Sequence, residues 1–344
     1  MGGVTLKTVA QAVGVSPSTV SNAYNKPDQL SAALRERILA TAQELGYAGP
    51  DASARALRSG KAGAIGVLFT DKLAYAFSDP YAVGFLAGLA EVAEEFSTSL
   101  LLMPLSSGDI VGGSNAVQQA AIDAAAIFCV PGDHPAVDIL TARGIPTVST
   151  DRGDHPDLCW VAIDEVEAAA KLGQHLTRLG HRDIVVLVDK AEAKDGAVEL
   201  SFDEVGCSDC EARIQGLEKA MPHAQMRIVS GGYNSFDSGL KGAEYVLDSQ
   251  DRPTAIVGLS DVQALGAMEA MKVRGLTPGR DLTVAGFDDI PAAEPAGLTT
   301  IRQPIKDKGR RVGRILLDPA TTERQVLMPT ELVVRASSGP APKR

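Results

Sequence analysis

At 344 residues, with 45% hydrophobic and 22% charged residues, the chain has the balance of a globular protein of two or three folding units, which excludes a disordered or fibrous one. No apolar run approaches the length a bilayer needs, no basic-then-apolar leader opens the sequence, and four cysteines, two of them (Cys129 and Cys159) inside apolar runs, make no disulfide framework. The formal charge of −10 is unevenly spread: residues 1–62 hold seven Lys/Arg against four Asp/Glu, so a head of +3 precedes a body of −13, and phosphate attraction depends on the local face.

The stretch VTLKTVAQAVGVSPSTVSNAYN, residues 4–25, predicts two short helices joined by a tight turn. Leu6, Val9, Ala10 and Val13 recur at helical spacing, Gly14 allows the turn, and Val15 closes the corner. Ser16 is placed to cap the second helix, and Pro17 at its first position lacks only an amide that would be unpaired there anyway. From it would project Ser18, Thr19, Ser21 and Asn22, short polar side chains suited to phosphates or base edges in a major groove. Residues 25–30 read as a loop. Ser31 then caps a third helix whose Leu34, Ile38, Ala42 and Leu45 share one face, with Gly46 as its stop and Tyr47 across its end.

Residues 48–63, AGPDASARALRSGKAG, have linker composition, yet Asp51 can cap a short helix over 52–58 that exposes Leu57 among Arg55, Arg58 and Lys61. A large apolar side chain ringed by cations suits a wedge in a minor groove; a plain tether is the alternative.

From residue 64 short apolar runs alternate with helical stretches. Strands are predicted at 64–69, 100–105, 124–130, 145–150 and 159–163, then at 183–188, 226–230, 254–260 and 282–287. Helices are predicted at 79–96, 164–179, around 213–221, at 235–248 and at 261–274. The alternation implies two doubly wound halves, and ligands in such sheets sit beyond the carboxyl ends of the strands. Thr70 and Asp71, Asp151 and Arg152, Ser260 and Asp261, and Asp288 and Asp289 stand at those ends. Acidic and hydroxyl groups there suit a polyhydroxylated ligand, although Asp164 and Asp261 read better as helix caps.

The whole chain, residues 4–340, resembles the lactose-repressor (LacI/GalR) family of bacterial transcription regulators. The resemblance rests on residues 4–25, on ELGYAGPDASARALRSGKAGAIGV through the linker, and on LTRLGHRDIVVL, SDVQALGAMEAMKVRGL and DLTVAGFDDIP followed by LTTIRQP. It implies a three-helix helix-turn-helix head (1–47), a hinge helix and linker (48–63) and an α/β periplasmic-binding-protein-like body (64–344) of two doubly wound subdomains. The first subdomain is expected at about 64–163 and 290–323, the second at about 164–289 and 324–340, with crossings near Ile163, Asp289 and Glu323.

The family function implied is sequence-specific binding of a palindromic operator by a homodimer, in the cytoplasm at the nucleoid, with affinity set by a small effector in the cleft. The implied major-groove contacts are Thr5, Ser16, Pro17, Ser18, Thr19, Ser21 and Asn22, and the hinge contacts Ala54, Arg55, Leu57 and Arg58. Many relatives carry arginine where this chain has Asn22, whose paired donor and acceptor suit adenine. For the effector the resemblance points to Asp151, Arg213, Tyr233, Ser260 and Asp288. Tyr75, Phe77 and Tyr81 are candidates for the cleft mouth, and Ser260 and Ile305 depart from common family residues. No cofactor, metal or membrane partner is expected. Ala87, Gly88 and Ala90 would permit close approach to a partner subunit or serve core packing.

The stretch between Val188 and Arg213 is longer and more acidic than is usual in the family; its Cys207 and Cys210 read as two thiols in a surface loop, with a metal or redox pair as the alternative. An enzyme or a solute-binding module on the same scaffold is the competing class. Against an enzyme stand the missing phosphate-loop, dinucleotide and nucleophile-elbow motifs and five histidines without ligand spacing.

Overall fold

The computed structural model describes residues 4–49, 60–70, 73–105, 110–130, 134–152, 158–189 and 196–343. The chain divides into two compact units at Gly63, and each follows from its own pattern of caps and apolar faces.

In the first unit α1 (Leu6–Val13), α2 (Pro17–Asn25) and α3 (Ala32–Glu44) bury Val9, Ala10, Val20, Ala23, Ile38 and Ala42 against one another. Each helix start is chemically specified. Thr5 caps α1 in a reciprocal capping box with Thr8, the Ser16 hydroxyl accepts from the Thr19 amide, and Ser31 accepts from the Leu34 amide. Gly14, at φ 74°, makes the left-handed turn that ends α1, and the Val15 amide closes it on the Ala10 carbonyl at 3.0 Å. Tyr47 packs edge-on to Tyr24, ring centroids 6.1 Å apart.

The second unit holds two sheets. The first is all parallel, in the order β12 (Gln325–Leu327), β5 (Cys159–Ala162), β4 (Thr147–Ser149), β3 (Ala124–Phe128), β1 (Ala64–Phe69), β2 (Ser99–Pro104). In the second, β11 (Thr299–Arg302), β10 (Thr283–Asp288), β9 (Ala255–Gly258), β6 (Asp183–Val188) and β8 (Gln225–Ser230) run parallel. Antiparallel β13 (Glu331–Val333) and β7 (Val198–Leu200) close its two edges. In each sheet the strand order reverses once, between β1 and β3 and between β6 and β9.

The helices are α4 (Tyr75–Ser78), α5 (Pro80–Glu95), α6 (Ile110–Gln119), α7 (Pro135–Ala142), α8 (Glu165–Arg178), α9 (Ser208–Ala220), α10 (Phe236–Leu247), α11 (Asp261–Val273) and α12 (Ile305–Leu317). No described helix is long and apolar enough to cross a membrane.

The chain passes between the sheets three times, and two passages differ from expectation. The first follows β5, near Ile163. The second comes after β11, at residues 302–305, and not near Asp289, because the buried run Thr299–Ile301 adds a further strand beside β10. The third comes after β12, at residues 327–331, and not near Glu323, because β12 still pairs with β5.

The small residues of α5 have a use inside the chain. A Cβ added at Gly88 would stand 1.9 Å from the Lys306 carbonyl oxygen, and one at Gly309 would stand 2.1 Å from that of Phe85, so α5 and α12 cross almost backbone to backbone. Arg310 and Lys306 reach Glu91, and Arg314 reaches Glu95, across the same crossing. Ile305 sits at the start of α12 and packs into the cores of both halves.

Candidate functional site

The recognition candidates of the head lie on and around α2. Thr5, Ser16, Pro17 and Ser18 are exposed, and Thr19 and Asn22 are half-buried. The Ser16 hydroxyl lies 2.7 Å from those of both Ser18 and Thr19, so the helix start carries a small hydroxyl cluster. Asn22 donates from Nδ2 to Gln29 Oε1 at 3.3 Å. Ser21 differs from its neighbours: it is buried, and its hydroxyl and carbonyl both accept from Asn25, because its position in the turn faces the bundle. The hinge candidates Ala54, Arg55, Leu57 and Arg58, and Asp71 of the body, lie outside the described residues.

In the second unit a cleft of about 500 Å³ opens between the two sheets, within the range of small-molecule sites. It lies where fold geometry favours a ligand, at the carboxyl ends of the strands that flank both order reversals. Thr70 after β1 and Cys129 after β3 face it from one side, and Asp189 after β6 and Ser260 after β9 from the other.

Of the sequence candidates, Tyr75, Tyr81, Asp151, Arg152, Arg213, Tyr233, Ser260 and Asp288 line this cleft. Phe77 does not; it is 65% exposed, since the single turn of α4 aims Tyr75 inward and Phe77 outward. Asp261 is neither ligand-facing nor a cap. Ser260 caps α11, while Asp261 is fully buried and accepts from Thr300 Oγ1 at 2.6 Å and from the Ile290 amide at 2.9 Å. Asp164 caps α8.

Arg213 is held on three sides. Its Nε donates to Glu165 at 2.7 Å, one Nη donates to the Leu259 carbonyl at 2.5 Å, and the guanidinium lies over the Phe287 ring at 3.9 Å. Burial opposes its charge, but Glu165 and Asp288 more than offset that and hold it firmly protonated. Asp288 sits at φ 121°, a backbone conformation that L side chains rarely adopt, and accepts from Gln303 Nε2 at 2.6 Å. Cys129, at φ 51°, is a second such residue in the cleft wall. Backbone strain of this kind at strand ends marks positions held for a purpose other than stability.

The two halves also touch across the cleft. Asn234 Nδ2 donates to the Tyr75 hydroxyl at 3.1 Å and the Tyr75 and Tyr233 rings meet edge-on at 5.3 Å; within the second half, Ser260 holds Asn234 in place by donating to its Oδ1 at 2.6 Å.

Asp189, Asn234, Cys207, Asp209 and Cys210 join the site without having been read from the sequence as cleft residues. The acidic stretch is only partly loop: it holds edge strand β7 and then the start of α9, which Cys207 caps, so the two thiols sit in the cleft wall, Cys210 buried. The visible signal was Cys207 followed by Ser208 and Asp209, residues that start helices well.

Six carboxylates (Asp79, Asp151, Asp189, Glu204, Asp209 and Asp288) line the cleft against two arginines. Burial pushes Asp151, Asp288 and Glu165 above the usual carboxylate range. Asp209 is pushed up to about 7, by burial first and then by the charge of Asp151, with which it shares a hydrogen bond. Such a wall can donate toward hydroxyls where a carboxyl keeps its proton and accept where it does not.

Asp261 behind the wall is likewise raised to about 7 by burial. The charges that interact with it are Asp288 and Asp289, the latter paired with Arg302 and Arg335. Unfolded, it ionises near 4. Between those values the folded chain keeps a proton that the unfolded chain has lost, so this group makes stability fall as pH rises from about 4 to about 7. Asp151, Asp209 and Asp288, raised by burial as well, act in the same direction. Comparing thermal midpoints of wild type and Asp261→Asn over that window isolates the Asp261 share, and the slope of the variant is expected to be shallower.

Residues 5–49 match bacterial regulatory proteins, lacI family, and residues 174–338 match the periplasmic binding protein-like domain. An HTH-type transcriptional regulator of Mycolicibacterium smegmatis is 38% identical, over 98% of this chain and 96% of its own. The chain belongs to the lacI family of bacterial regulatory proteins.

It is thus a transcriptional regulator with a DNA-binding head and a ligand-binding body. IpsA of Corynebacterium glutamicum is 36% identical to the regulator, over 91% of this chain and 90% of its own. Among solved structures, a LacI-family regulator from Corynebacterium glutamicum superposes with a TM-score of 0.73 at 32% identity, covering 98% of this chain and 99% of that one. The lac repressor dimer bound to operator and the anti-inducer ONPF superposes at 0.77 with 26% identity, covering 98% and 99%.

Proposed function

We propose that this regulator is a homodimer that grips a palindromic operator and that a neutral polyhydroxylated effector, of the sugar or polyol class, sets its operator affinity from the cleft. The observation that carries the effector reading is the make-up of the cleft wall: carboxyl groups crowd it, and its two arginines, Arg152 and Arg213, are already paired with Asp164 and Glu165. A phosphorylated sugar or a carboxylate would find no arginine of the wall without a carboxylate partner. A neutral polyol finds donors and acceptors in Asp151, Asp209, Asp288, Arg213, Ser260 and Asn234, with Tyr75 and Tyr233 closing over it. Binding that pulls both halves together shifts operator affinity only through differential affinity for two states, and the Asn234–Tyr75 bond is a natural difference between them.

The head, residues 1–47, would read the major groove through Pro17, Ser18, Thr19 and Asn22, with Thr5 and Ser16 near phosphates. The linker 48–63, through Ala54, Arg55, Leu57 and Arg58, would enter the minor groove between half-sites. Its place of action is then the nucleoid in the cytoplasm, and the cleft binds without turnover. Support for a dimer on an operator comes from the lac repressor structure, which is one.

A thermal-shift screen of neutral sugars and polyols against their phosphorylated counterparts, followed by operator release or retention with the hits, tests the effector reading. Stabilisation by phosphorylated compounds alone would sink it. For the head, Asn22→Ala is expected to cost about 1–3 kcal/mol on the preferred half-site and to relax discrimination at one base pair. An equal loss on every half-site variant would make Asn22 a positioning contact instead.

A further inference from the structure

Three metal-ligating atoms from two separate stretches of chain converge on the cleft wall. Cys207 caps α9, Cys210 lies in its first turn, and Asp189 follows β6, on the far side of the acidic stretch. Cys210 Sγ lies 3.1 Å from Asp189 Oδ1, Cys207 Sγ accepts the Cys210 backbone amide at 3.4 Å, and the three ligand atoms lie within 4.8 Å of one another. Donors on a tetrahedral zinc ion are roughly 3.5–3.8 Å apart, so the Asp189–Cys210 pair need open only by a few tenths of an ångström and Cys207 Sγ lies at most about 1 Å beyond that spacing from either.

We propose that Asp189, Cys207 and Cys210 form a three-ligand site for a soft divalent cation of the zinc class, with its fourth position open to the cleft. The two cysteines are spaced C-x-x-C, so one helical turn presents both sulfurs to one point, and the Cys210 amide already donates to the Cys207 sulfur as it would to a bound thiolate. Both sit at the amino end of a helix of 13 residues, whose dipole favours negative charge. Two thiolates select a soft ion, and the carboxylate of Asp189 completes a set that leaves one position for water or a hydroxyl of a cleft ligand.

A neighbouring group, Cys129, Asp151 and Asp209, is equally compact. It offers one thiol and two carboxylates already bonded to each other, a hard set less suited to such an ion. The proposal goes beyond the effector reading, because three protein ligands hold the ion whether or not a polyol is present.

Full-length protein, reduced and stripped of metal, is titrated with cobalt(II) and then with zinc. The expected result is a thiolate-to-cobalt charge-transfer band that saturates at one ion per protomer and is bleached by zinc. Cys207→Ser and Cys210→Ser abolish the band, Asp189→Asn weakens binding at least tenfold, and Cys159→Ser, outside the cleft, leaves it intact. Circular dichroism and melting of each variant separate loss of the site from loss of the fold. Three results overturn the assignment. One is no band in reduced protein. Another is a band lost in Cys129→Ser but kept in Cys207→Ser, which places the ion in the neighbouring group. The third is a Cys207–Cys210 disulfide formed in air with no cobalt band after reduction, which makes the thiols a redox pair.

Discussion

Replacing Arg213 by alanine is expected to abolish the thermal shift given by a polyol effector and to destabilise the protein by about 3–5 kcal/mol, the usual cost of leaving one member of a buried ion pair alone. Glu165, only 14% exposed at its side chain, would lose its partner, and Phe287 the cation over its ring. The two effects are separable. A double variant, Arg213→Ala with Glu165→Gln, removes the orphaned charge and is expected to regain part of the stability while regaining no binding. Arg213→Lys keeps a charge but neither the fork nor the flat face, and should fall between. Isothermal titration and chemical denaturation on the same four proteins give both readouts. Unchanged effector affinity in Arg213→Ala would show that the arginine braces the wall and touches no ligand.

Gly88→Val should be the most damaging single change in the first half. A Cβ there meets the Lys306 carbonyl at 1.9 Å, and a backbone oxygen in a helix cannot swing aside as a side chain end can. The two helices must separate, which uncovers Leu89 and Phe85 and splits the Glu91 contacts with Lys306 and Arg310. The expected cost is at least about 3 kcal/mol, a fall in melting temperature of roughly 10 °C, or insoluble protein. Gly144→Ala is the comparison. That glycine, at φ 64°, has open space around its α-carbon, so alanine meets only the left-handed penalty of about 1–2 kcal/mol. Similar melting for both variants would mean that the helix crossing yields more easily than its geometry implies.

The local chemistry of the chain was legible wherever a short stretch decides its own structure. Ser16 with Pro17, Ser31 and Gly14 announce the starts and turns of the head, and the apolar runs of β1, β6 and β9 announce buried parallel strands. What needed the structure were choices between partners far apart in sequence. Glycine and alanine on α5 signal close approach but do not say to which helix, and the answer, α12, lies more than 200 residues away. The run Thr299–Ile301 is too short to declare which sheet it joins, so the second crossing falls later than the sequence pattern suggests. Ser21 looks like its exposed neighbours because small polar residues show no periodicity. Asp209 carries no mark of the cleft until Asp151 is brought against it across the two halves.

The late crossings also set an order of events during synthesis. When residue 163 leaves the ribosome, the first sheet has five of its six strands, yet α5 still presents the bare glycine face that α12 will cover, and the edge beside β5 stays unpaired until β12 emerges. The second half, by contrast, can assemble its parallel strands from one continuous stretch, β6 to β11. The half translated first therefore waits for α12 and β12, and for most of translation it offers an open strand edge and an uncovered apolar helix to other chains. Premature termination between residues 163 and 305 should yield fragments that aggregate through their first half.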